Sequence, residues 1–237
     1  MVDETNMNAE MKWFYEERAR IAVANLQKRN IIAQYVPSRK EALAVVLGMI
    51  PPGATVAKGD SITLEQIGII PELKKRQQNR LIDPLEKDAD GQPMDPHSQQ
   101  QKKLARETFS TDIFLTGTNA VTLDGRLVNT DGGGNRVAPM IFGPEKVIFV
   151  VGINKIVRDT NEALERIHNV AAPINAKRHF LKHHDSQFND LPCVKTGRCV
   201  DCNHDWRICR YTVIIEGCVI IDKGRLNVVL VGEELGI

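Results

Sequence analysis

Four cysteines in one short segment could hold a metal. Their spacing is Cys193-(x5)-Cys199-(x2)-Cys202-(x6)-Cys209, within a polar segment that contains glycine. Four thiolates suit either structural zinc or an iron–sulfur cluster, and the spacing alone does not choose between them. Nearby cations would offset the thiolate charge and lower the thiol pKa values: Lys195, Arg198, Arg207 and Arg210. The alternatives are four free cysteines packed near a strand, or one redox pair at Cys199 and Cys202.

Glycine-containing loops after strand-like runs form a second candidate site. They are Lys58-Gly-Asp-Ser61, Thr116-Gly-Thr-Asn-Ala120 and Asn129-Thr-Asp-Gly-Gly-Gly-Asn-Arg136, and a further strand-like run ends in Asn154-Lys155. Glycine lets a backbone approach a ligand closely, and ligands of open α/β sheets bind at such strand ends. The pattern therefore predicts one cleft that binds an anion. The alternative is that the glycines only form tight turns.

Charged residues in and near these loops could do the chemistry. Glu65 or Asp131 could act as a base, or Glu65 as a nucleophile, if the pocket raises the pKa of the carboxyl. Arg136 would hold a carboxylate with its guanidinium and Lys155 with a point charge. Arg178 could bind an anion or cap a helix C-terminus. We interpret the remaining candidates as solvated or capping histidines: His97, His179, His183 and His184.

Alternating strands and helices are expected to position these residues. Helical patterns cover residues 7–28, ending at Asn30, then 38–50 from a Ser38 capping box, 64–68 and 160–167. Strand patterns cover residues 31–36, 54–57, 111–116, 146–152, 211–215 and 226–231, and an Asp124-Gly125 turn predicts a hairpin over 121–128. Residues 83–102 read as an exposed loop leading into a helix near Ser98. This order predicts an α/β protein with a mostly parallel, layered sheet.

Composition narrows the classes of partner. The 237 residues carry a formal charge of +1, so no net field favours nucleic acid or a membrane surface, and small molecules or proteins are the expected partners. An acidic, polar start and the lack of an eighteen-residue apolar run predict a cytoplasmic protein. Five cysteines, an odd number, favour metal or redox chemistry over disulfides. Cys218 is expected to be a buried, small apolar residue.

The loops together resemble the LUD domain family, the lactate-utilisation proteins formerly grouped as a domain of unknown function. The motifs that carry the resemblance run from Gly59-Asp-Ser-Ile-Thr-Leu-Glu65 through the Thr116, Asn129 and Gly152 loops to Ala172-Pro-Ile-Asn-Ala-Lys-Arg178. The resemblance covers most of the chain. It implies a three-layer α/β/α fold related to the sugar-phosphate isomerase and coenzyme A transferase superfamily and to formyltetrahydrofolate cyclo-ligase. Residues 1–30 would form an N-terminal helical segment, and residues 31–237 the LUD domain with a Cys-rich segment at 193–209.

The resemblance also implies a set of site residues and a metabolic setting. Members are associated with oxidation of L-lactate to pyruvate beside iron–sulfur subunits. The Cys-rich tail departs from the shorter lactate-utilisation members and resembles a subgroup from anaerobes. The positions that match the family's motifs are Gly59, Asp60, Ser61, Glu65, Thr118, Asn119, Asp131, Gly132, Asn135, Arg136, Asn154 and Lys155.

Three functions remain open from the sequence. The leading one is oxidation of L-lactate or a related 2-hydroxy acid, with an anion in the glycine loops, a metal at the cysteines and possible iron–sulfur partner subunits. No spaced GxGxxG fingerprint for NAD or FAD is present, so a hydride acceptor would be absent, supplied by a partner or bound in an unrecognised way. The second is group transfer or isomerisation of a phosphorylated or CoA-linked substrate through Glu65. The third is a non-catalytic, zinc-stabilised scaffold subunit, and an oligomer is compatible with each.

Overall fold

A computed structural model describes residues 4–84 and 98–237 and has six parallel strands at its centre. Most of the predicted loop from Asp83 to Lys102 lies outside the described residues, as does His97. The strands are β1 Ile32–Val36, β2 Thr55–Lys58, β3 Arg80–Ile82, β4 Ile113–Thr116, β5 Ala120–Thr122, β6 Leu127–Asp131, β7 Lys146–Gly152, β8 Ile156–Val157, β9 Tyr211–Ile215 and β10 Leu226–Val231. The large sheet has the order β1-β10-β7-β4-β2-β3, and every neighbouring pair in it is parallel.

The helices connect these strands and cover the sheet. They are α1 Asn8–Lys28, α2 Arg39–Gly48, α3 Ile62–Ile67, α4 Ile69–Arg76, α5 Gln99–Glu107, α6 Val137–Ile141, α7 Thr160–Arg166, α8 Ala172–His183, α9 Ser186–Asn189 and α10 Pro192–Thr196. Side-chain hydrogen bonds cap the first turns of two helices. The Ser38 hydroxyl accepts the Glu41 amide at the start of α2, and Ser98 accepts the Gln101 amide at the start of α5. Asn30, the predicted stop of α1, has φ 60°.

The core has two halves because successive residues of a strand face opposite sides of the sheet. In β7, Phe149 belongs to one apolar cluster and Ile148 to the other. The Ile148 face is covered by α2, α3 and α4. The Phe149 face is covered by α1, α6 and a second sheet of order β8-β5-β6-β9. The predicted three-layer, mostly parallel α/β fold is confirmed, and its second outer layer combines helices with this small sheet.

The small sheet contains the predicted hairpin. Strands β5 and β6 pair antiparallel with Ala120 opposite Val128, and the Asp124-Gly125 turn joins them. Strand β9 continues the sheet beside β6, with Asp131 opposite Tyr211. The C-terminal part of the chain therefore lies along the end of β6, where the triple-glycine loop begins.

Within the described residues, no helix combines the length and the apolar character needed to cross a membrane.

Candidate functional site

A cavity of about 670 Å³ opens at the carboxyl ends of β2, β4, β6 and β7. Helices α5 and α8 and the segment between Cys202 and Arg210 form the rest of its wall. A volume in this range accommodates an organic ligand with several functional groups. The predicted site residues that line it are Gly59, Asp60, Ser61, Thr118, Asn119, Asp131, Gly132, Asn135, Arg136, Lys155 and Arg178.

Two predicted residues and the four cysteines are not part of this lining. Glu65 is half-exposed and bonds Lys58. The Asn154 side chain accepts the backbone amide of Leu235 at 3.1 Å, and the Asn154 carbonyl accepts Arg166 at 3.2 Å. Asn154 therefore anchors the segment after β10 to the strand end of β7.

Lys155 is a buried lysine at the base of the cavity. It follows β7 in a short 3₁₀ turn, and only 5% of its surface is exposed. Among residues 4–84 and 98–237, its Nζ has one hydrogen-bond partner, the Thr63 hydroxyl at 3.2 Å, and no carboxylate within ion-pair distance. Burial, followed by the charges of Arg166 and Arg136, lowers the pKa of Lys155 to about 7. Near neutral pH this side chain can be an ammonium or a free amine.

Arg136 holds the loops together. Its Nη1 donates to Asn129 Oδ1 at 2.9 Å and to the Gly117 carbonyl at 3.5 Å. Its Nη2 donates to Asn119 Oδ1 at 2.9 Å and to the Thr130 carbonyl at 2.8 Å. The terminal N–H groups that were expected to hold a ligand carboxylate are therefore bonded to the protein.

Asp131, the last residue of β6, accepts amides at the start of α6 and also lines the cavity. Its Oδ2 accepts the backbone amides of Arg136 at 2.8 Å and Val137 at 3.2 Å. A carboxylate at this position satisfies the free N–H groups of the first helical turn. Oδ1 takes part in neither bond, so it is the oxygen that could accept a proton from a ligand.

Asp60 and Arg178 form a two-point ion pair across the cavity. Nη1 and Nη2 of Arg178 donate to the two Asp60 oxygens at 2.8 and 2.7 Å. Burial alone would raise the pKa of Asp60, but the hydrogen bonds and charge of Arg178, with Lys182 and His179, hold it well below its ordinary value. Arg178 thus binds a carboxylate of its own chain, and it does not cap the end of α8.

Lys58 is a second buried lysine at the cavity, in the opposite environment from Lys155. Its Nζ lies 2.8 Å from Glu65 and 3.4 Å from Asp83. Burial would lower the pKa of Lys58, but the hydrogen bond to Glu65 and the charges of Asp83, Glu65 and Asp60 outweigh it and raise the pKa. Lys58 is therefore held as an ammonium.

Four aromatic rings form part of the cavity wall. The rings of His179 and His183 stack at 5.8 Å, those of His179 and Phe188 at 5.1 Å, and Phe188 meets Trp206 edge-on at 5.9 Å. All four line the cavity. Burial is the main cause that lowers the pKa of His179, to about 4, so this imidazole is neutral at pH 7.

Two of the histidines interpreted as solvated or capping, His179 and His183, line the cavity. His179 and His183 are one turn apart on α8, on the same face as Asn175 and Arg178. The spacing of residues 175, 179 and 183 carried this signal, but the run was not read as a helix. His184 does cap the helix, with φ 53° at its C-terminus.

The Cys-rich segment packs directly against the triple-glycine loop. A Cβ on Gly132 would lie 3.1 Å from the Ile208 Cα, and the Arg210 amide donates to the Asp131 carbonyl at 2.9 Å. The segment places Asp205, Trp206, Arg207, Ile208 and Arg210 in the cavity wall. These lining residues were not predicted, since nothing in the local pattern says that a cysteine segment closes a cavity formed some seventy residues earlier.

The four cysteines are half-buried and carry free thiols. Burial, then the charges of Cys202, Cys209 and Cys199, raises the pKa of Cys193. Arg207 bonds the Cys209 sulfur and the Cys202 carbonyl. Among the described residues, no group of three or more His, Cys, Asp or Glu side chains is arranged to hold a metal ion. The chemistry of the donors nevertheless suits a metal that binds thiolates.

Fold and cavity together define an α/β protein with a cleft at the carboxyl edge of a parallel sheet. The sequence model of the LUD domain family matches residues 19–231, so the chain belongs to that family. The start of this match lies inside α1, whose Ala19, Ala22 and Leu26 are buried in the core. No curated protein matches the chain.

Similar solved structures share little sequence with this chain. A DUF162 family protein from Deinococcus radiodurans is 15% identical, with a TM-score of 0.48, over 93% of this chain and 98% of that one. Translation initiation factor eIF-2B from Pyrococcus horikoshii OT3 is 14% identical, with a TM-score of 0.37, over 53% and 50%. eIF2B delta from Chaetomium thermophilum is 14% identical, with a TM-score of 0.33, over 66% and 55%.

Proposed function

We propose that the cavity binds a small 2-hydroxy or 2-oxo acid, and that the chain contributes to the oxidation of L-lactate or a related 2-hydroxy acid. The observation that carries this proposal is Lys155, a buried amine that lines the cavity without a carboxylate partner among the described residues. A buried charge without a partner is costly, and an anionic ligand would remove that cost. Membership of the LUD domain family supports the choice of a lactate-like acid.

The other cations near the base of the cavity already have partners. Arg136 bonds four oxygens of the loops, Arg178 bonds Asp60, and Lys58 bonds Glu65. Lys155 is left to attract the ligand carboxylate, while Arg136 and Arg166 add positive potential around it. In this arrangement the loops serve chiefly to hold the cavity open beside the amine.

Asp131 is our candidate for the base that takes the hydroxyl proton of a bound 2-hydroxy acid. It lines the cavity, and its Oδ1 is outside the two amide bonds at the start of α6. Oxidation also needs an electron acceptor. The C2–H bond also breaks, and we propose that a hydride acceptor in a partner subunit takes this hydrogen with its electron pair. Iron–sulfur clusters in partner subunits, or at the cysteines, would then carry the two electrons onward one at a time.

A metal at Cys193, Cys199, Cys202 and Cys209 is the second part of this proposal. Four free thiols within one short segment, and the bond between Arg207 and the Cys209 sulfur, support it. A thiolate-bound iron–sulfur cluster would supply electron transfer, and zinc would supply structural stability. In either case the metal would stiffen the segment that closes the cavity.

One observation favours a larger substrate. A cavity of about 670 Å³ is larger than a three-carbon acid needs, and it would admit a phosphorylated compound or part of a CoA ester. Group transfer through Glu65 has less support, because this carboxylate bonds Lys58 and lies outside the lining. If the cysteines hold zinc and the cavity binds no acid, the scaffold function is favoured instead.

Ligand binding can be measured with the protein's own fluorescence. Trp206 lines the cavity and Trp13 is exposed on α1, so a Trp13→Phe background leaves Trp206 as the reporter. We expect L-lactate to change the emission and lactamide, which has no carboxylate, to have no effect. Lys155→Met is expected to weaken lactate binding more than tenfold, because a partly desolvated charge pair is worth roughly 1.5–3 kcal/mol.

The pH dependence tests the role of the amine. Protonated Lys155 predominates below the pKa of about 7, while lactate is ionised throughout. Affinity for L-lactate should therefore be constant near pH 6 and fall as the pH rises above 7, by up to about tenfold per unit. Equal affinity at pH 6 and pH 8.5, or in the Lys155→Met variant, would contradict the proposal.

A further inference from the structure

Lys155 and Thr63 form a covered pair at the base of the cavity. The Thr63 side chain is fully buried on α3 and its hydroxyl lies 3.2 Å from the Lys155 Nζ. Gly236 lies over the pair: a Cβ there would come within 2.4 Å of the Thr63 hydroxyl and 2.6 Å of the Nζ. Glycine leaves both groups where they are, and the φ of +70° at this position also favours glycine. The chain thus encloses the amine while leaving it in the cavity lining.

The two buried lysines of the cavity, Lys58 and Lys155, have different surroundings, which suit different chemical roles. Both lysines are buried and line the same cavity. Lys58 is held by two carboxylates and has a raised pKa, whereas Lys155 faces a hydroxyl and two arginine charges and has a lowered one. Pairs of like groups with opposite shifts often mark different tasks in one site. A lysine that loses its proton near neutral pH is a nucleophile toward carbonyl groups.

We propose, resting on the function proposed above, that Lys155 forms an imine with the C2 carbonyl of a 2-oxo acid bound in the cavity. The Nζ lone pair attacks C2, the C–N bond forms, and the carbonyl π electrons move to oxygen. The resulting carbinolamine hydroxyl takes up a proton and leaves as water, while the nitrogen lone pair forms the C=N bond. No electrons leave the system, so the step needs no oxidant.

The groups around the Lys155 amine can assist the formation of the imine. Thr63 is close enough to relay a proton between the nitrogen and the departing hydroxyl. The protonated imine keeps a positive charge beside the ligand carboxylate, so the charge pair of the bound acid is retained. A 2-hydroxy acid has no carbonyl and binds by charge alone. The site would therefore distinguish the oxidised from the reduced form of the same acid by a covalent bond.

The two forms should respond to pH in opposite directions. L-Lactate binding depends on the ammonium and weakens above pH 7, whereas attack on a carbonyl depends on the free amine and accelerates as the pH rises through 7. The charged groups that set this titration are Arg166 on α7 and Arg136 before α6, and no carboxylate among the described residues opposes them.

Reductive trapping tests the inference directly. The full chain is incubated with pyruvate and borohydride at several pH values, then digested and mapped by mass spectrometry. We expect one N-carboxyethyl group on Lys155, none on Lys58 or the exposed Lys102, and a yield that rises through pH 7. L-Lactate is the matched control without a carbonyl and should give no adduct. The adducts are mapped on the wild-type sequence. The test therefore does not depend on whether a Lys155→Met variant folds.

The outcomes separate this inference from the function on which it rests. If pyruvate changes Trp206 emission but Lys155 carries no adduct, the imine is wrong and the binding site stands. If adducts are spread over exposed lysines with no preference for Lys155, the imine is also wrong. If neither lactate nor pyruvate binds and no adduct forms, both proposals fail.

Discussion

Asp60 and Arg178 come from positions 118 residues apart and form the two-point ion pair of the cavity. Each residue type was expected at the site, but as a separate ligand-binding group. Their pairing could not be predicted, because it depends on α8 passing over the loop after β2. The same holds for Arg136, whose partners are the carbonyls and amides of loops that only the fold brings together.

Asp60→Asn should destabilise the protein. The substitution removes the charge opposite Arg178, and lost hydrogen bonds to a charged group typically cost about 1.5–3 kcal/mol. The pKa of Asp60 is lowered in the fold, so the ion pair stabilises the protein fully above about pH 4, the usual value for Asp, and less as the pH falls. Urea unfolding should show the full difference from wild type at pH 7 and a smaller one at pH 3.

Asp190→Asn is the matched control. Asp190 pairs with Lys195 at 3.1 Å, but 61% of each side chain is exposed. Exposed pairs contribute about 0–1 kcal/mol, so this variant should unfold close to wild type. An Asp60→Asn variant as stable as Asp190→Asn at pH 7 would show that Arg178 does not need its partner.

Strongly patterned elements could be predicted from local sequence. The apolar run 146–152 became the buried central strand β7, and the Ser38 cap began α2 as expected. Contacts between elements could not be predicted, since they depend on distant residues. The triple-glycine loop was expected to approach a ligand, yet Gly132 also makes room for the backbone of Ile208.

Gly132→Ala should displace the wall of the cavity. A new Cβ would lie 3.1 Å from Ile208 Cα, and a backbone atom cannot move aside as a flexible side chain can. We expect a loss of roughly 1–2 kcal/mol in unfolding free energy, typical of local overpacking, together with altered Trp206 emission and weaker lactate binding.

Gly133→Ala provides the comparison one residue further on. Neither glycine has a positive φ, and a Cβ on Gly133 would meet only the Asn135 side chain, at 3.3 Å. This variant should keep wild-type stability and Trp206 emission. If both variants behave alike, the contact between Gly132 and Ile208 does not position the wall.

At the scale of the whole molecule, the cavity combines one edge of the sheet with helices α5 and α8 and with the Cys-rich segment. The parallel sheet contributes the ends of β2, β4 and β7, and the Cys-rich segment closes the opposite side. The class of fold followed from alternating strands and helices. The position of the Cys-rich segment at the cavity could not be predicted, because the segment has no periodic pattern of its own.

Metal binding at the Cys-rich segment should therefore change the thermal stability of the entire protein. Protein purified without oxygen is expected to contain zinc, or iron with sulfide and visible absorption, and to melt at a higher temperature than the chelated form. Cys199→Ser with Cys202→Ser should abolish both effects, while Cys218→Ser, outside the segment, should preserve them. Equal metal content in all three proteins, or none in any, would exclude a centre at these cysteines.

The strand order also constrains how the chain folds during synthesis. Strand β10 lies between β1 and β7, so Ile32 pairs with Asn227 and Val147 pairs with Leu226. Until β10 is in place, β1 has no partner strand in the sheet, and β7 is paired on one side only, with β4. Pairing between such distant residues is slow and leaves strand edges open to association with other chains. The open edges of β1 and β7 are therefore prone to association with other chains until β10 is inserted between them.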